Sequence, residues 1–282
     1  MIPLRDLMRG VSRHPFKTVQ HMFACFSVLF TVVKAITHFF PSIKIEGRLP
    51  LASAIIISVF WGLNKVWKPS RIEIPIANCS TIIEVVFGDL FAQEGLRAIA
   101  VNEFFDSKLG KPVSDKSIHG IFLQRCFGGH QESFDKQVDD ELKNIQDTAV
   151  VPEKVEGKTK RFPIGTTTLL TANQDRYIVF AFAKTDPATC KAYSDVTMMW
   201  VALNQLWGRV RIESGGYPIN LPLVGGGLSG LGLPTRDLLN LIILSAITET
   251  KAKEITQRIR IVLHRDRFEH LDLRDVKKFW QE

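Results

Sequence analysis

The sequence predicts an α/β layered domain preceded by an N-terminal hairpin of two membrane-spanning helices. Three observations predict it. Two long apolar runs with few charges are confined to the first seventy residues; after Pro69 the texture changes to short β-branched and aromatic runs alternating with longer amphipathic stretches; and glycine-bearing turns close two of the strands.

The first run is Thr18–Val33 (TVQHMFACFSVLFTVV), without a formal charge, and apolar character resumes after Lys34 as far as Phe40. A bilayer core asks for roughly 20 apolar residues, and Lys34, near one end, can snorkel to the headgroups. The second run, Leu49–Asn64 (LPLASAIIISVFWGLN), is closed by Lys65, Trp67 and Lys68, the aromatic and basic pairing of an interface anchor. The link PSIKIEGR is too short for a domain, so the spans, about 18–40 and 49–67, should form an antiparallel hairpin. Basic residues flank both outer ends (Arg5, Arg9, Arg13, Lys17; Lys65, Lys68, Arg71). By the positive-inside rule both termini then face the cytoplasm, which places a multi-pass anchor in the cytoplasmic membrane. A cleaved signal peptide is disfavoured, because no small-residue cleavage site follows the first run and a second run does. The alternative is a helical hairpin buried inside a soluble protein.

Charge separates the chain in the same place. Of 36 basic and 29 acidic residues, nine basic and two acidic (Asp6, Glu46) lie in residues 1–70, leaving 27 of each in 71–282. The net charge of +7 therefore belongs to the anchor. The neutral downstream part lacks the basic footprint of a nucleic-acid-binding domain. The cysteines (Cys25, Cys79, Cys126, Cys190) are far apart, with neither metal-ligand nor redox spacing, and read as reduced thiols.

We divide the chain into an anchor, 1–70, and a cytosolic domain, 71–282. In the latter, strands are predicted at Thr81–Phe87, Ala98–Asn102, Thr166–Thr171, Arg176–Phe182, Val210–Ile212, Asn220–Val224 and Ile259–Leu263, and helices at Ser117–Phe127, Glu132–Gln146, Ser194–Arg209, Pro234–Thr250 and Asp272–Glu282. Strands interleaved with helices of this length make an α/β layered domain. Residues Gln146–Arg161, polar and aperiodic, read as an exposed excursion; their GKTK lacks the spacing of a phosphate loop.

Two turns carry chemistry. Phe87-Gly88-Asp89 ends the first strong strand, and PLVGGGLSGL (222–231) joins a later strand to the helix near Pro234. Between a strand and a helix, a glycine-rich turn lets backbone N–H groups converge where the helix dipole favours an anion, so a diphosphate fits there. The same turn can also be no more than a tight connection.

The ordered series VVFGD, AIAVN, FPIGTTTLLT, YIVFAF, INLPLVGGGLSGLGLP and IRIVLH resembles the macro domain family over about residues 72–270. The resemblance implies a three-layer α/β/α macro-like domain with a mixed central sheet, preceded here by the two-helix hairpin, and an ADP-ribose derivative as ligand. Matched to the family pattern, Asp89, with Leu90 beside it, falls on the acid that accepts a hydrogen bond from the adenine amino group; it also reads as a strand-terminal turn residue. Asn102 falls on the first asparagine of the family's V-N segment, near the distal ribose, or is a buried structural asparagine. Ser117, Ile118 and Gly120 fall on the first phosphate loop. Gly225, Gly226, Gly227, Leu228, Ser229 and Gly230, flanked by Val224 and Leu231, fall on the second. His264 falls where the family has an aromatic side chain against adenine, or is a surface histidine.

Two departures from the family are informative. Where macro hydrolases have a second catalytic asparagine in V-N-A-A-N, this chain reads Val101-Asn-Glu-Phe-Phe105, and the glycine run that follows is replaced by Leu109–Lys116, with Lys111 and Lys116. The resemblance therefore implies binding without hydrolysis, no catalytic residues, no cofactor and no metal, in a pocket altered for a modified ADP-ribose. Hairpin and macro-like domain together resemble the transmembrane-macro effectors of type II Thoeris antiphage systems. That resemblance implies a histidine-linked ADP-ribose signal made from NAD by a TIR-domain enzyme, homo-oligomerisation on binding, and membrane disruption leading to growth arrest. The competing classes are a membrane-tethered ADP-ribosyl hydrolase, a plain ADP-ribose reader and a structural scaffold.

Overall fold

The computed structural model describes residues 4–43, 45, 47–227 and 230–281, and divides into two units. The first comprises the residues up to Ser70 together with Asp272–Arg274, and the second comprises Arg71–Leu271 with the residues from Asp275 on.

The first unit is helical: α1 (Leu4–Arg13), α2 (Pro15–Phe39) and α3 (Arg48–Val66). Pro15, in the first turn of α2, fits where its missing N–H costs nothing. Helices α2 and α3 are long and apolar enough to cross a membrane, and of their most apolar stretches none is buried in α2 and 11% in α3. Hydroxyls inside these helices are satisfied locally: Ser58 Oγ donates to the Ala54 carbonyl at 2.7 Å and Thr31 Oγ1 to Ser27 at 2.8 Å. The two helices meet through small residues. Ser58 and Gly62 are buried, and a Cβ on Gly62 would lie 2.4 Å from Met22 Cγ and 3.1 Å from the Thr18 carbonyl. Gly62→Leu is expected to force the hairpin apart at a cost of about 1–3 kcal/mol, measured as earlier unfolding in a mixed-micelle titration; an unchanged midpoint would refute the close packing.

The second unit contains, in order, β1 (Arg71–Pro75), β2 (Ile82–Phe87), β3 (Leu96–Asn102), α4 (Ile118–Phe127), α5 (Gln131–Leu142), β4 (Ala149–Val150), β5 (Lys160–Arg161), β6 (Thr167–Ala172), β7 (Asp175–Thr185), β8 (Ala192–Tyr193), α6 (Val196–Glu213), β9 (Ile219–Pro222), α7 (Thr235–Ala252), β10 (Arg258–Leu263) and, from Asp275 on, α8 (Leu273–Gln281). The main sheet runs β1-β2-β10-β9-β3-β7-β6, with β8 beside β7. Strands β2, β10, β9, β3 and β7 are mutually parallel, while β1, β6 and β8 are antiparallel, so the sheet is mixed and the five parallel strands end on one edge.

Alternation along the strands serves two buried faces. Ile99, Val101, Tyr177, Val179 and Ala181 join an aromatic core with Phe122, Phe127 and Phe134 of α4 and α5. Ala98, Ile178 and Phe180 face the opposite way and are fully buried. There α6 packs on β7 and α7, with Trp207 Nε1 donating to Ser245 Oγ at 3.1 Å. This is the expected three-layer arrangement. Glu84, 2% exposed in mid-strand, is tolerated because Arg71, Arg258 and Arg260 all lie within 3.1 Å of its carboxylate.

Two expectations fail. Val210–Ile212 is not a strand: α6 continues to Glu213, and Val210 completes its buried stripe with Met199, Leu203 and Leu206. Helical period outweighs the β-branched local composition. Residues 146–161 are not a wholly exposed excursion either. Strands β4 and β5 pair antiparallel within it, and Val151 and Lys154 are buried.

Candidate functional site

In open α/β sheets the carboxyl edge of the parallel strands is where ligands lie. Four connections of this chain meet there: those following β2, β10, β9 and β3.

After β2, Asp89 caps a single 3-10 turn, accepting from Phe91 N–H at 3.0 Å, and its other oxygen accepts from Arg125 Nη1 at 2.7 Å. The carboxylate is half exposed. Burial pushes its pKa up, but the Arg125 and Phe91 hydrogen bonds and the charges of Arg125 and His264 outweigh burial and hold it below the ordinary range. Asp89 is therefore an ionised acceptor at neutral pH. Leu90 is buried in the aromatic core, so only its main chain is available to a ligand. Arg125, from the last turn of α4, lies 5.2 Å from the Phe91 ring centre.

After β10, His264 is exposed and caps the turn Arg265–Arg267 through its Nδ1. Arg267 then reaches back across the glycine-rich connection, with Nη1 on Thr235 Oγ1 at 3.1 Å and Nη2 at 3.5 Å from the Gly226 carbonyl. After β9, Val224 is buried and Gly225 turns the chain at φ +81°, a conformation that glycine supplies without strain. The Leu231 N–H closes the loop on the Gly225 carbonyl at 3.0 Å. Gly226 and Gly227 are exposed, and Gly230 sits against the Gly227 carbonyl. Leu228 and Ser229 lie outside the described residues. Helix α7 starts immediately after this loop, with Pro234 at the cap position and no capping side chain. A glycine loop, an uncapped helix start and Arg267 together make an anion-accepting corner.

After β3 the structure does something that the sequence did not announce. The β3–β7 register shifts between Val101 and Asn102, and such a bulge re-aims the side chain. Asn102 is buried: its Nδ2 donates to Asp106 Oδ2 at 2.8 Å, and its Oδ1 accepts from the main-chain N–H of Phe104 and Asp106, both at 3.2 Å. Asp106 in turn forms a fully buried ion pair with Lys154 at 2.9 Å. The carboxamide is thus engaged with its own chain. Phe105, at the place of the hydrolases' second asparagine, is buried at φ +50° and packs edge-to-face on Phe162 with ring centres 5.5 Å apart.

The segment matched to the first phosphate loop begins α4. Ser117 is its cap, accepting from Gly120 N–H at 2.9 Å, and a Cβ on Gly120 would lie 2.2 Å from the Ser114 carbonyl. Ile118 is exposed. Neighbouring His119 is buried, which drives its pKa down to about 3, with the charge of Lys158 acting in the same direction. It is neutral throughout the physiological range.

The structure therefore gathers Asp89, His264 and the glycine loop on one edge, and turns the Asn102 amide inward. Sequence reasoning missed Arg125 and Arg267. Neither sits in a motif; position alone, in the last turn of α4 and four residues after β10, brings them to this edge.

The strand order, with β1 and β6 antiparallel at the two ends of the sheet, defines a macro fold, and solved structures agree. The Oceanobacillus iheyensis macrodomain with ADP superposes with a TM-score of 0.53 at 12% identity, covering 75% of this chain and 97% of that one. A variant of that macrodomain with ADPR gives 0.54 at 11%, covering 75% and 100%, and the same macrodomain with MES bound gives 0.53 at 12%, covering 75% and 97%. At this identity the likeness establishes the fold. The sequence profile described as "Thoeris protein ThsA, Macro domain" matches residues 83–264, so the chain belongs to that family. No curated protein matches it by sequence.

Proposed function

We propose that the protein is a membrane-anchored sensor and effector: its macro domain binds an ADP-ribose-derived signal nucleotide, and binding drives homo-oligomerisation and membrane disruption in antiphage defence. The signal of this reading is histidine-linked ADP-ribose made by a TIR-domain enzyme. The observation that carries it is the carboxyl edge itself, where an ionised acceptor (Asp89) for an adenine amino group stands on the same rim as a glycine-rich, Arg267-bridged helix start that suits a diphosphate. Membership of the ThsA macro family supports the defence setting.

The anchor fits the output. Helices of 25 and 19 residues span about 37 and 28 Å, enough for a bilayer core with some tilt. The hairpin 1–70 would then lie in the cytoplasmic membrane with both termini and domain 71–282 in the cytoplasm, as the basic flanks favour. Confinement to a plane raises the effective concentration of neighbouring copies, so a small ligand-driven change in a surface suffices to cluster them.

Hydrolysis is disfavoured by Phe105, whose buried ring has no atom able to orient water.

The test is calorimetry on the full chain in detergent with ADP-ribose and its histidine conjugate, followed by sizing and vesicle leakage with the ligand that binds. Asp89→Ala is expected to weaken binding by about tenfold to a hundredfold, the worth of a hydrogen bond to a charged acceptor. No heat from either nucleotide at about 1 mM ligand would overturn the reading, and release of free ADP-ribose from a modified protein would favour the hydrolase.

A further inference from the structure

One strand farther along from the glycine-rich loop, a cavity lies where β3 and β7 end beside the first turn of α6. Its volume is about 460 Å³, and Glu103, Asp147, Arg161, Phe162, Lys184 and Met198 are among the residues that line it. Glu103 is 4% exposed. Its main chain is fixed on both sides, the N–H donating to Ala183 O at 2.8 Å and the carbonyl accepting from Phe162 N–H at 2.8 Å. The carboxylate itself accepts one long hydrogen bond, from Thr185 N–H at 3.3 Å to Oε1. Arg161 and Lys184 are near enough for their charges to act on Glu103, yet among the described residues neither forms an ion pair with it. Burial raises the Glu103 pKa, and the Thr185 N–H and these two cations only partly offset it.

We propose that this cavity binds a small zwitterion, an acid group held between Arg161 and Lys184 and an N–H donor on Glu103, against the apolar wall of Phe162 and Met198. The charge pattern selects that class. A simple anion would meet the Glu103 carboxylate on the floor, and a simple cation would meet the two basic residues. A ligand carrying both charges satisfies all three side chains and adds a donor to a buried carboxylate whose one hydrogen bond, from Thr185 N–H, is long. A buried, under-bonded carboxylate at the bottom of a cleft is also where functional sites concentrate. Asp147, exposed at the mouth, adds a second acceptor for the amino end.

A free amino acid and an amino-acid substituent on the signal nucleotide present the same chemistry. The second source rests on the nucleotide reading above; the first does not. Calorimetry on the full chain in detergent separates them, using glycine, L-glutamine, L-histidine, ADP-ribose and histidine-linked ADP-ribose as titrants, with Glu103→Gln and Arg161→Ala as variants. Glu103→Gln keeps an acceptor for Thr185 N–H, and Arg161 is exposed, so both variants should fold. Two results support the proposal. Either a free amino acid binds and loses about tenfold in affinity in each variant, or the conjugate is preferred over ADP-ribose by about tenfold and only that preference vanishes in the variants. Amino-acid binding without any nucleotide binding would sustain the zwitterion site and overturn the nucleotide reading. The zwitterion site is overturned if no amino acid binds and the conjugate has no advantage over ADP-ribose, or if the variants behave like the parent.

Discussion

Lys154→Met is expected to destabilise the macro domain by about 3–5 kcal/mol, which lowers its melting temperature by roughly 10 °C for a domain of this size. Lys154 Nζ lies 2.9 Å from both Asp106 oxygens, 2.7 Å from the Glu156 carbonyl and 2.9 Å from the Lys158 carbonyl, and both side chains of the ion pair are wholly shielded from solvent. Methionine fills most of the volume but leaves the Asp106 carboxylate buried with only Asn102 Nδ2 and the Lys158 N–H, at 2.8 and 2.7 Å. An uncompensated buried charge costs more than the pair contributes. The double substitution Lys154→Met with Asp106→Asn removes both charges and should recover more than half of the loss, a coupling that a simple packing defect would not show. Differential scanning fluorimetry on the three proteins decides it: a single variant melting within about 1 °C of the parent would show the ion pair to be dispensable.

That pair also marks the boundary of what the sequence revealed. Regular elements were legible from their patterns: the unbroken β-branched and aromatic run in Arg176–Phe182 and the apolar face of Pro234–Thr250 found β7 and α7 to within three residues. The glycine-rich connection after β9 was legible because a turn at φ +81° leaves a compositional trace. Lys154 left none. In an aperiodic polar stretch nothing distinguishes a lysine that pairs with an aspartate 48 residues earlier from one in solvent, and residues 146–161 read as an exposed loop for that reason. The same limit applied to Asn102, whose side chain is re-aimed by a register shift that depends on how β3 meets β7. Edge strand β1 was missed because five residues containing Arg71, Glu73 and Pro75 have the composition of a linker; charge and proline are what protect a sheet edge.

The two valine substitutions with the most divergent consequences lie two residues apart in the glycine-rich loop. At Gly225, φ is +81°, a Cβ would stand 2.7 Å from Leu231 Cδ1 and 3.2 Å from Leu238 Cδ2, and Leu238 is 1% exposed. A β-branched residue there meets both a forbidden backbone conformation and a filled core, so Gly225→Val should cost about 3 kcal/mol or more in stability. At Gly227 the backbone is outside the left-handed region and no described atom lies within 4 Å of a built Cβ. Gly227→Val should therefore leave the melting temperature within about 2 °C of the parent. If the loop cradles a diphosphate through its N–H groups, however, that open space is where the phosphate must approach, and two methyl groups there should weaken nucleotide binding by about a hundredfold or more. Melting curves and nucleotide calorimetry on the two variants separate fold from function within one loop. A Gly227→Val protein that melts normally and binds nucleotide as tightly as the parent would show that the loop is only a turn, and would move the search for the ligand to the neighbouring cavity floored by Glu103.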